Sequence, residues 1–391
     1  MKALWLLAFA CGVATAAPFV PTDADEVVER LPSRLVSPAE RDQQRALQQR
    51  RAAAPAQLPV ALQAARAAID RARRFGDPRE LGEAQAALAP WWSLTDPPPA
   101  VRLLRATVRQ SQHQFDVALR DLDVLAADAP LEQRAQALLT RTAVLQVTGR
   151  WAEAEASCRN LDQPTFAALG PAVPVSARVC RAELASLRGA TAPAAADLAA
   201  LSRGTRDEGL RRWVDLVRAE LAERSGDPHA GDRYREALGD TPDLYTLAAL
   251  ADWLLARDRP AEVLPLLAGR EDADALLLRL AVARVRTRDP AAAATTRLLA
   301  DRFDAAALRE DTTHRREQAR FELDVRGDAR AALPHAVANW AVQKEPADAL
   351  LLVRVAAAAR EPQAAEPVWR FVREQGLADV RLAAARDGAT R

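Results

Sequence analysis

At 391 residues the chain is too long for one ordinary core, and length alone points to two or three domains. Hydrophobic residues make up 49% and charged residues 27%, a globular balance that excludes a disordered chain. The 54 basic and 53 acidic residues are scattered and leave a net charge of +1, so there is no basic stripe of the kind a nucleic-acid binder carries. Aromatic residues are only 5%, and Ala and Leu carry most of the apolar share. Both are strong helix formers, whereas strands favour β-branched and aromatic residues, so helix is expected throughout.

In chain order, the first segment reads as an export signal. Lys2 precedes an apolar run from Ala3 to Val13, followed by Ala14, Thr15, Ala16 and Ala17. That is a charged start, a short apolar stretch and an Ala-x-Ala cleavage pattern over residues 1–17. The run is shorter than the roughly 20 residues a membrane-spanning helix needs. A lipid anchor at Cys11 is the alternative, although Ala8, Phe9 and Ala10 fit an attachment box badly. No later stretch is long and uncharged enough to span a bilayer. The expectation is an exported protein, periplasmic or secreted, with no membrane span.

Residues 18–59 are rich in Pro, Gln and Arg and hold two short helical patterns, Asp25 to Leu31 and Pro38 to Ala54. A loosely attached leader is expected here. From Val60 apolar residues recur at helical spacing, with a break every 15 to 20 residues. Tight turns such as Gly76-Asp77-Pro78, Gly149-Arg150, Gly226-Asp227-Pro228 and Gly327-Asp328 alternate with longer Pro-containing links. Alternating short and long breaks mean helix pairs, and repeated pairs mean a solenoid.

The second helix of each pair carries a small residue, a larger apolar residue four later, another small or aliphatic residue, and a closing Pro. Ala118, Leu122, Leu125 and Pro130 have that spacing, and Ala230, Tyr234, Ala237 and Pro242 repeat it. Anchors near 82, 118, 154, 195, 230, 263, 293, 332 and 365 step by 30 to 41 residues. In the first helices, Leu247, Leu250, Ala251 and Leu254 are the clearest set. Over residues 60–376 the sequence resembles the tetratricopeptide-repeat proteins, whose unit is about 34 residues. The resemblance implies an all-α, right-handed superhelical solenoid of about nine antiparallel helix pairs, with residues 377–391 as cap and tail. A HEAT-like solenoid, with units of about 40 residues, is the alternative. Arg141, Arg316 and Arg320 stand where the first helices should be apolar.

Such arrays hold a protein or peptide partner in a concave groove lined by the first helices. Counting from Gly327 and Ala332 places His314, Glu317, Phe321 and Asp324 on the groove side, with burial of Phe321 as the other reading. The same count from Val263 gives Tyr245 and Asp252. The polar run Thr312-Thr313-His314-Arg315-Arg316-Glu317 reads as a helix start capped by Thr312 or Thr313, or as an anionic-partner contact.

Motifs for chemistry are missing. The four histidines (His113, His229, His314 and His335) form no His-Glu-x-x-His, there is no Cys-x-x-Cys, and neither Gly-x-Ser-x-Gly nor a phosphate loop occurs. His113 and His229 fall in turns and are expected to be solvated. No catalytic residue, cofactor or metal is expected, and the leading reading is a non-catalytic interaction scaffold. The alternative is an envelope enzyme or assembly factor with a catalytic cluster inside the groove. Cys158 and Cys180 both survive signal removal, and Pro164, Gly170, Pro171 and Pro174 between them allow a chain reversal. A disulfide is expected between them, with two buried thiols as the alternative.

Overall fold

The structure, a computed structural model, describes residues 37–240, 242–308 and 313–389. The expected signal at residues 1–17, Cys11, the pattern from Asp25 to Leu31 and Thr312 lie outside the described residues. Among the described residues there are twenty-one α-helices and no strand.

Helix α1 (Pro38–Ala53) opens with a reciprocal cap between Ser37 and Glu40 and buries none of its residues. It rests on the next helix through an ion pair from Arg74 to Glu40 at 2.6 Å. Nine antiparallel pairs follow. The first five are α2 (Leu58–Phe75) with α3 (Arg79–Ala87), then, after the short α4 (Ala89–Trp92), α5 (Pro99–Ser111) with α6 (Phe115–Ala127), α7 (Leu131–Val147) with α8 (Trp151–Leu161), α9 (Ala172–Leu187) with α10 (Thr191–Gly204), and α11 (Glu208–Ser225) with α12 (Ala230–Leu238). The remaining four are α13 (Leu244–Ala256) with α14 (Pro260–Leu267), α15 (Asp274–Thr287) with α16 (Ala292–Leu308), α17 (Arg315–Arg320) with α18 (Ala329–Val342), and α19 (Pro346–Ala359) with α20 (Glu366–Gln375). A last helix, α21 (Val380–Ala389), closes the chain of described elements. The two helices of each pair pack on each other, and most pairs pack on the next, which makes this a tetratricopeptide-like solenoid.

Each pair turns on one residue with left-handed backbone. Five are glycines (Gly76, Gly149, Gly189, Gly226 and Gly327), and the other four are His113, Asp258, Arg288 and Arg360. A left-handed residue after the last helical turn lets its amide and the next one reach back to the free carbonyls.

The helices approach closely where the small residues lie. Ala118, Ala154, Ala230, Val263 and Ala332 are fully buried. In three units the contact sits one or two residues from the sequence anchor, at Ala84, Ala194 and Thr295. Gly231 marks the tightest crossing, since a Cβ there would lie 2.3 Å from the Trp253 ring.

The solenoid also closes on itself. The later units return over the tight turns of the first five. Leu244 and Ala273 cover Gly76, Phe371 and Lys344 cover Gly149, Ala378 meets Gly189, and Val380 meets Gly226. Backbone hydrogen bonds cross this seam, from the Lys344 amide to the Val147 carbonyl (2.7 Å) and from the Ala378 amide to the Leu187 carbonyl (2.8 Å). Arg381 adds an ion pair to Glu223. The Phe371 ring stands edge-on to Trp151 and to Trp340, at 5.3 and 5.4 Å, so one apolar cluster spans both sides of the seam.

Candidate functional site

Several first helices carry polar side chains that pair with one another. Asp252 on α13 accepts from Arg279 on α15 at 2.5 Å and pairs with Arg320 on α17 at 2.8 Å. Burial alone would raise the Asp252 carboxyl, but Arg279 and Arg320 together hold it below the ordinary carboxylate range. Asp324 accepts from Arg354 on α19 at 2.6 Å and sits 3.6 Å from Arg320. Arg316 donates to Asp348 at 2.6 and 2.8 Å and pairs with Glu345. Arg141 donates to Asp123 at 2.6 Å. The arginines that interrupt the apolar pattern therefore join neighbouring helices, as charge-assisted forks do elsewhere.

This arrangement corrects part of the expected groove. Asp324, only 5% exposed at its side chain, is committed to the ion-pair ladder. Phe321 is 2% exposed and packs edge-on against Phe303 at 5.4 Å. The cause is local: after Arg320 the helix widens into a π-helical stretch, Phe321–Arg326. Such a stretch takes up more residues per turn, so a count at α spacing back from Gly327 rotates out of register. Thr313 does not cap α17. His314 holds that position, without a side-chain capping bond.

Tyr245 is 58% exposed, and its hydroxyl donates to Glu220 on α11 at 3.0 Å. Glu183 on α9 accepts from Gln146 on α7 at 2.6 Å. Burial, with the Glu183 carboxylate second, pushes Glu220 up to about 7. Burial raises Glu183 as well. The Glu220 charge, followed by burial and Glu345, lifts the Tyr245 hydroxyl well above the ordinary tyrosine range. Side chains from five units thus come together around an exposed aromatic ring.

Glu183 and Glu220 were missed by the sequence reading, although a signal was present. Each stands six residues before its unit's left-handed glycine (189 − 183 and 226 − 220), the same offset as Asp252 before Asp258.

His314 and Glu317 meet elsewhere, at the seam. A cavity of about 310 Å³ between the α2–α3 turn and the start of α17 is walled by Arg73, Asp77, His113, His314, Arg316 and Glu317, among others. His113 is not the solvated turn residue expected from sequence. Burial lowers its pKa, with Glu317 pulling the other way, and its ring stacks on Phe115 at 5.4 Å. His229 is solvent-exposed, 3.7 Å from Asp232. Among the described residues no group of three His, Cys, Asp or Glu is placed to hold a metal ion, and no helix is long and apolar enough to cross a membrane.

Cys158 on α8 and Cys180 on α9 are joined in a disulfide, with Cα atoms 6.1 Å apart. Both are buried within the cluster that spans the seam.

No protein-family model matches the chain, and no curated protein matches it. Among solved structures, it is similar to a Rap protein crystallised in complex with competence and sporulation factor, at 14% identity, covering 83% of this chain and 87% of that one, with a TM-score of 0.45. It is also similar to the TPR domain of P58(IPK), at 15% identity, covering 83% of this chain and 94% of that one, with a TM-score of 0.21. Both are distant likenesses of helical build alone.

Proposed function

We propose that the protein is a non-catalytic scaffold of the cell envelope, holding a protein or peptide segment against the inward face of its solenoid. The observation that carries this reading is the interior around Tyr245, where an exposed ring is bordered by Glu183, Glu220 and Glu345. An aromatic surface beside carboxylates suits a segment with mixed apolar and basic side chains. The proposed export rests on the charged and apolar start of the sequence with its Ala-x-Ala pattern. The Cys158–Cys180 pairing agrees with an oxidising compartment.

A second reading, an envelope enzyme, draws on Glu220, because a carboxyl raised to about 7 is suited to proton transfer. We favour the scaffold because the two raised carboxyls are already engaged by Gln146 and Tyr245, and no nucleophile stands beside them in the contacts described. The test is site-specific photocrosslinking of the full-length protein in its native host, from position 245 and from the exposed position 120 on α6. The expected result is one discrete partner captured from 245 alone. Equal capture from both positions, or none from 245, would remove the interior as the binding face.

A further inference from the structure

A second cavity, of about 320 Å³, lies on the seam where the start of α21 meets α9, α10 and α11. Arg224 on α11 forms part of its wall and is only 8% exposed. One guanidinium nitrogen donates to the Ser186 hydroxyl at 2.8 Å, while Nε has no hydrogen-bond partner. Among the described residues no ion pair neutralises this guanidinium. Glu183 and Glu220 sense its charge from farther away, but they are bonded to Gln146 and Tyr245. Asp379 on the opposite wall is held by Arg381, which donates to both of its oxygens. A buried cation with no direct ion pair is costly, and the carboxylates nearby are committed to other partners.

The rest of the wall is also suited to an anion. Thr191 begins α10, a helix of 14 residues whose N-cap, Ala190, offers no side-chain capping bond. Residue 193 is a proline, so this end presents the Thr191 and Ala192 amides with the positive end of the helix dipole, a known setting for oxyanions. Ser186 and Ser225 complete the polar side, and Leu221, Ala378 and Val380 supply an apolar one. The volume is at the lower end of that found for small-molecule sites and exceeds what a bare oxyanion would fill.

We propose that this cavity binds a small soluble ligand through a carboxylate or phosphate headgroup, with Arg224 and the α10 N-terminus as the receiving groups. The apolar wall takes the carbon portion of the ligand. The site is separate from the interior around Tyr245, so either proposal can fail without the other.

The test is thermal unfolding of the full-length protein titrated with inorganic phosphate in one arm and succinate in the other, against sodium chloride at matched ionic strength. The expected result is a saturable rise of several degrees in one arm, which also identifies the headgroup. The rise should be lost in Arg224→Gln and in Thr191→Glu. The second variant places a carboxylate at the cavity edge and leaves the buried guanidinium intact, so a folding defect in the first does not decide the outcome. No saturable rise in either arm, or a rise that Thr191→Glu leaves intact, would overturn the proposal.

Discussion

Four of the nine turn residues adopt left-handed backbone with a side chain attached, although that conformation costs an L-residue roughly 1–2 kcal/mol. Arg288 is exposed and opens such a turn with φ of 56°, so its side chain is not needed for packing there. Arg288→Gly is expected to raise stability by up to about 1 kcal/mol, and Arg288→Val to lower it, as read by denaturant midpoint. Glu220 makes a prediction about pH. It releases its proton at about 7 in the folded protein, against 4.5 for an ordinary glutamate. Between those values the folded chain holds a proton that the unfolded chain has lost. Stability therefore falls as pH rises through this window, and its contribution is fully present only below it. Glu220→Gln should flatten that part of the stability–pH curve. An unchanged slope would mean that water reaches this carboxyl more freely than its surroundings indicate.

At the scale of the element, the helices and their pairing were legible because burial on a helix imposes a period that a single sequence displays. Ala118, Ala154 and Ala230 sit at the crossings because only a small side chain lets two helix axes come that close. The anchors in three units fell a residue or two away, at Ala84, Ala194 and Thr295, where Ala-rich sequence offers several small residues in succession. The candidate site was legible only in part. Counting along one regular helix left the Tyr245 ring outside the packed side of α13, and the ring is exposed. Phe321 takes the buried alternative because the count crossed a π-helical stretch, and nothing in the local residue types announces an extra residue in a turn. Arg316 and Arg320 looked like breaks in the pattern, yet they answer Asp348 and Asp252, which are 32 and 68 positions away (348 − 316 and 320 − 252). Such pairs are set by which helices become neighbours, and one sequence does not show that.

For the whole molecule, the seam is the feature no local pattern could supply. Whether a solenoid stays open or closes depends on small rotations accumulated over many units. Phe371 is the side chain through which the closure can be tested, since it sits between Trp151 and Trp340 and above Gly149. Phe371→Ala is expected to lower stability by about 2–4 kcal/mol. It should also make the amides at the seam, Lys344 and Ala378, exchange hydrogen faster, as read by hydrogen-exchange mass spectrometry. Slow exchange at both amides in that variant would show that the seam does not depend on this ring.

The hydrogen bond from Lys344 to Val147 joins residues 197 positions apart (344 − 147). In an open array each repeat needs only its neighbour, so such a protein can form progressively from any starting point. Here the last contacts are among the most distant in sequence, which raises the contact order and slows the final step of folding. At roughly 5–20 residues per second of synthesis, the turns at Gly149, Gly189 and Gly226 wait many seconds for the segment that will cover them. A ribosome stalled just before residue 371 would therefore hold helices already paired but an edge still unclosed, with the apolar surface of Trp151 lacking its Phe371 partner.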